Sequence, residues 1–174
     1  MAGMFRELRA DEIECRVSQV VQRERNSGVI LLLYKDARTD ANVLDETLEE
    51  SNWQCKFYEC KGNLFCSVGI KIKYVDGKEE WIWKDDCGTE SRSEAQKGEA
   101  SDAFKRACFK WGLGRELYTA PLIWVNAADC EKLKDGKCYD RFTVRLIDYD
   151  HGSISKLVIE NQKHNVVFTY GDLR

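Results

Sequence analysis

The chain has 174 residues, 43% hydrophobic and 33% charged, which is enough apolar material to fill a core beneath a soluble surface. No apolar run approaches the roughly 18 residues that a membrane helix needs, and the opening MAGMFRELRADEIE lacks the apolar stretch of a secretory signal, so membrane and exported classes are excluded and a soluble intracellular location is expected. A formal net charge of −3 argues against a uniformly basic polyanion binder, so any site for nucleic acid has to be a local cluster of cations.

In chain order, Ile13, Val17, Val20 and Val21 recur at i, i+4, i+7 and i+8, which predicts a helix from Ala10 to Gln22. Asn26-Ser27-Gly28 is a turn, and Val29 to Tyr34 a short buried strand. Ala37, Ala41, Leu44 and Leu48 are spaced for a second helix, with Asp36 as its N-cap. Three strand-like runs follow Trp53, from Gln54 to Cys60, Leu64 to Tyr74 and Glu79 to Cys87. Asp76-Gly77 between the last two is a strong hairpin signal. Alternation puts Ile70, Ile72 and Tyr74 on one face with Lys71 and Lys73 on the other, and gives Trp81 and Trp83 a common face.

A long helix is predicted from about Ser93 to Gly112. Ala100, Phe104, Ala107, Cys108 and Trp111 form its apolar stripe, while Lys97, Lys105, Arg106 and Lys110 lie off it. Gly112 and Gly114 supply the stop. Laid across the three strands, such a helix would bury both apolar faces. Beyond Pro121, Leu122 to Val125 reads as extended and Ala127 to Lys137 as turn-like. Arg141 to Tyr149, Ser153 to Glu160 and Val166 to Tyr170 form a β-meander that either extends the sheet or packs as an appendage. The expected class is α+β: a β-β-β-α core with an antiparallel sheet on one long helix, N-terminal helices and a C-terminal β-meander. The expected division is a core domain over residues 1–126 and a β-rich extension over 127–174.

The run Ser101-Asp102-Ala103-Phe104-Lys105-Arg106-Ala107, closing at Trp111-Gly112, resembles the signature helix of the Rad-fifty-two-type single-strand annealing proteins, which include the eukaryotic double-strand-break repair mediator and shorter phage and bacterial relatives. The similarity extends upstream through Lys97 to the strands beginning near Trp53, and more faintly to Asp36-Ala37-Arg38. It implies a homo-oligomeric ring that binds single-stranded DNA and anneals complementary strands without ATP, working beside a recombinase, an exonuclease or a single-strand binding protein. It also implies that Lys105 and Arg106 contact the DNA backbone and that Lys97 and Arg38 occupy further basic positions. The family's eukaryotic pattern has another basic residue where this chain has Phe109, and Lys110 is the candidate to take over.

Bland readings compete with each of these. Lys105 and Arg106 could simply be a solvated helix face, and Arg38 and Lys97 could pair with Asp102, Glu99 or Asp40. Trp81 and Trp83 are candidates for base stacking, against a core role. No catalytic residue is expected. A Mg²⁺-dependent nuclease built on Asp85, Asp86 and Glu94 is the runner-up, and an interaction module without DNA binding is a third reading. Gly112-Leu113-Gly114 completes no phosphate-binding loop, so no nucleotide cofactor is expected. Among eight cysteines no two are spaced as CxxC, so reduced thiols and no metal site are expected.

Overall fold

A computed structural model describes residues 4–24, 26–89 and 95–172, with only the backbone course over 95–97. The predicted helix start near Ser93 and Glu94 of the nuclease reading lie outside the described residues. The described residues form an α+β structure with antiparallel sheets and two α-helices, and the chain divides into two compact units: Met1–Arg6 with Asp36–Leu113, and Glu7–Lys35 with Gly114–Arg174.

The second unit opens with a 3₁₀ turn at Ala10–Glu12 and continues as strand β1 (Glu14–Val21), not as the helix that the spacing of Ile13, Val17, Val20 and Val21 predicts. The cause is a β-bulge. Cys15 and Val17 alternate with exposed neighbours, but the ladder to β2 (Gly28–Tyr34) slips between Val17 and Gln19, so covered positions resume at Val20. One inserted residue converts a period of two into a spacing that imitates a helix.

In the first unit, the Asp36 carboxylate accepts the backbone N–H groups of Arg38 and Thr39 and so starts α1 (Ala37–Leu48), which buries Val43 and Leu44. Strands β3 (Trp53–Cys60), β4 (Asn63–Lys73) and β5 (Glu79–Cys87) form an antiparallel sheet in the order β3-β4-β5, without a register slip. The β4–β5 turn closes as predicted, although only Gly77 takes a positive φ, at 83°. Helix α2 (Ala95–Trp111) lies on β4 and β5, and Gly112, at φ 112°, ends it. Gly88 permits the close approach of β5 to α2. A Cβ there would overlap the Glu99 carbonyl oxygen and come within 2.9 Å of the Ala103 nitrogen.

The remaining strands belong to the second unit. They are β6 (Ile123–Asn126), a small ribbon of β7 (Leu133–Lys134) with β8 (Lys137–Cys138), and the meander β9 (Phe142–Asp150), β10 (Ser153–Asn161) and β11 (Val166–Tyr170). The meander joins β1, β2 and β6 in a six-stranded sheet of order β11-β10-β9-β1-β2-β6, around a core that includes Val29, Leu31, Val125, Leu157 and Ile159.

Candidate nucleic-acid interface

On α2 the predicted stripe is the buried face. Phe104, Ala107 and Cys108 are buried together with Ala103 where α2 packs on β4, whose Cys66, Val68 and Ile70 are buried as well. Ala100 and Trp111 are half-buried, and the Trp111 indole N–H donates to the Val68 carbonyl at 2.9 Å. Because side chains alternate along β5, Ile82, Lys84 and Asp86 share the side turned to this helix.

Asp86 is the centre of the cationic group. Its carboxylate lies 3.4 Å from Arg106 Nε and 3.5 Å from Lys110 Nζ and is largely buried, whereas about half of each cation's side chain is exposed. Lys110 Nζ also donates to the Asp85 carbonyl. Lys84, which the sequence reading passed over as a DNA contact, completes the cluster. Its ammonium donates to the Lys110 carbonyl at 3.0 Å and lies 4.3 Å from the centroid of the Trp111 ring. The sequence carries little signal for it, because its side of β5 reads Glu80, Ile82, Lys84 and Asp86 while the tryptophans mark the other side. Two cations thus share one carboxylate, and a third, Lys84, reaches the backbone of Lys110 beside them. Lys105, half-buried on the next position of α2, has no hydrogen-bond or ion-pair partner among the described residues. The local balance is positive on a chain whose total is negative.

Two candidates stand apart from that cluster. Arg38, on the first turn of α1, is an exposed side chain whose guanidinium pairs with Asp36 at 2.9 Å, so its partner is the helix cap and not Asp40, Glu99 or Asp102. Partial burial raises the Asp36 pKa, but the N–H groups of Arg38 and Thr39 and the Arg38 guanidinium outweigh it and hold this carboxyl below the usual carboxylate range. Lys97 lies in the first turns of α2, and its side chain is outside the described set. Glu99 and Asp102 are engaged elsewhere, by the Leu64 N–H and by Thr89 respectively.

Of the carboxylates of the nuclease reading, the two that are described, Asp85 and Asp86, do not converge. Asp85 and Asp86 are neighbours on a strand and face opposite ways; Asp85 accepts from Ser67 and Tyr58, and Asp86 meets α2. Trp81 and Trp83 also point away from α2, so they do not border Lys105, Arg106 and Lys110. Among the described residues, Cys130, Cys138 and Asp140 bring one potential metal-binding atom each within 4.8 Å of one another. Burial, followed by the neighbouring Cys138 and Asp140, pushes the Cys130 thiol up to about 12. Asp140 is already held by the Lys132 N–H at 3.0 Å and by Gln162 Nε2 at 2.7 Å. Cys130 Sγ donates to the Asn126 carbonyl and Cys138 Sγ to Asp140, so all three groups are engaged, and three donors fall short of the closed tetrahedral set of a structural zinc site. Among the described residues, no helix is long and apolar enough to cross a membrane.

No curated protein and no solved structure matches the chain. Residues 6–135, which carry the whole cation cluster, match the model of the Rad52/22 family double-strand break repair proteins. The chain therefore belongs to that family, whose work is DNA binding and strand annealing in recombination and repair.

Proposed function

We propose that this protein binds single-stranded DNA by its backbone and promotes ATP-independent annealing of complementary strands in homologous recombination and repair. The observation that carries the reading is the excess of positive charge beside Asp86: Arg106 and Lys110 share this one acid, Lys84 reaches the Lys110 carbonyl, and Lys105, which has no hydrogen-bond or ion-pair partner among the described residues, stands next to Arg106. A phosphodiester brings the charge that this group lacks. Arginine offers it a rigid fork, and lysine a mobile point charge. Gripping the backbone leaves bases free to find their complements, and neutralising phosphates removes the repulsion that slows two strands from meeting. No nucleotide hydrolysis is required for either step. Arg38 and Lys97 would extend the backbone contacts along the same unit.

Repetition of a weak patch around a homo-oligomeric ring would multiply its affinity. β3 suits such an assembly, because it is an edge strand whose residues are exposed from Gln54 to Cys60.

The test is single-strand binding and annealing by a Lys105→Ala/Arg106→Ala double variant over a range of ionic strengths. Two lost phosphate contacts should lower the slope of log affinity against log salt by about 1.4, or 0.7 for each contact, and annealing should slow in parallel. An affinity within about twofold of the wild type, with the fold intact, would overturn the assignment.

A further inference from the structure

The face of the β3-β4-β5 sheet turned away from α2 is built like a stacking surface. Trp81 and Trp83 lie side by side on it, with ring centroids 6.1 Å apart and planes 29° from parallel. The Trp83 ring lies flat across Gly69, where an added Cβ would come within 2.7 Å of the ring, so the absence of a side chain there is what lets the indole lie down. Lysines sit over both rings: Lys56 Nζ is 4.1 Å from the Trp83 ring centroid and Lys71 Nζ is 5.6 Å from that of Trp81. Lys73 shares the face by register, and Lys56 and Lys73 are exposed. Further along, Tyr58 and Phe65 stack at 5.4 Å.

From this arrangement we propose that the open sheet face is a second binding site for a single-stranded polynucleotide, at which bases stack on Trp83 and Trp81 and the phosphates are met by Lys56, Lys71 and Lys73. The energetic order favours exchange. A base stacked on an aromatic side chain is held more strongly than an exposed ammonium over the same indole. An incoming base therefore displaces the lysine head, and the four-carbon stem lets that ammonium swing onto the adjoining phosphate. Cation and ring thus serve the same ligand. Because this face and the α2 cations lie on opposite sides of one sheet, stacking here leaves the bases of a strand held at α2 free. The site goes beyond the proposed function and can stand or fail without it.

The experiment is titration of the full chain with a thymidine homopolymer, followed by intrinsic tryptophan fluorescence, with a base-free oligomer of the same length as control. The homopolymer should quench the emission and the base-free strand should not. Trp81→Leu/Trp83→Leu should abolish the quenching and weaken binding at least fivefold. Lys56→Glu/Lys71→Glu, which alters only surface groups, should weaken it without disturbing the fold. Unchanged affinity in both double variants overturns the stacking site, whatever happens at α2. Quenching that persists in Lys105→Ala/Arg106→Ala supports it and separates it from the backbone site; loss of all quenching there, with Trp81→Leu/Trp83→Leu indistinguishable from wild type, overturns it and leaves the α2 reading standing.

Discussion

The Arg106 guanidinium lies 3.4 Å from the carboxylate of Asp86, on a strand that ends before the helix carrying the arginine begins. The acid holds the cation in place and also competes for it with any phosphate. Replacing Asp86 by asparagine keeps the shape and removes the competing charge. Asp86→Asn should therefore tighten single-strand binding by roughly twofold to tenfold at low salt, the range expected for releasing two half-exposed ion pairs. Fluorescence anisotropy at two ionic strengths measures this, and weaker binding would mean that the acid is needed to aim Arg106 and Lys110.

Gly88 and Gly77 should respond differently to alanine. At Gly88 the new methyl group would strike backbone atoms of Glu99 and Ala103, which cannot rotate away, so Gly88→Ala should cost at least about 2 kcal/mol. At Gly77 the space is open and only the positive φ is at stake, so the cost should be about 1 kcal/mol. Urea unfolding of both variants separates steric overlap from backbone strain, and equal losses would contradict the close β5–α2 approach.

Asp36 caps α1 through the N–H groups of Arg38 and Thr39 and is also paired with the Arg38 guanidinium. Asp36→Ala should lose about 1 kcal/mol at neutral pH. The folded-state pKa of Asp36 is lowered, so its contribution is present above the unfolded value of about 3.9 and is lost as pH falls through the lower folded value. The gap between wild type and variant should therefore close in acid. A gap that stayed constant down to pH 2 would show that the carboxylate's charge is irrelevant to the cap.

Cys55 and Cys66 form an unequal pair on neighbouring strands. The hydrogen bond between them brings exposed Cys55 down to about 7 against the opposing effect of burial, and the same bond, followed by burial, pushes Cys66 up. Alkylation of Cys55 should reach half its maximal rate near pH 7, while Cys66 stays unmodified in the folded protein. Cys66→Ala should move the Cys55 profile back towards 9, its ordinary value. Mass spectrometry of the labelled chain resolves the two sites.

Local chemistry was the legible part of this fold. Asp36 as a cap, Asp76-Gly77 as a turn and the Phe104–Ala107–Cys108 stripe each depend on residues a few positions apart, and the structure places them as expected. The stretch from Ile13 to Val21 misled because a bulge is set by the partner strand, which the local spacing does not contain. The basic residues of α2 were visible, but their relation to Asp86 and Lys84 was not, since it depends on which side of β5 turns to the helix and on how closely Gly88 lets the two approach. The meander strands were visible too, but not their sheet, because β9 pairs with a strand more than a hundred residues earlier.

That last pairing has a consequence for synthesis on the ribosome. Everything from Asp36 to Leu113 is contiguous and can mature as soon as it clears the exit tunnel, whereas the β1–β2 hairpin made before it must wait for β6 and β9 to flank it. For that interval the nascent chain carries a finished insert between two halves of an incomplete one, with β-branched strand edges bare. During that interval the uncovered edges of β1 and β2 are open to mispairing with sister chains.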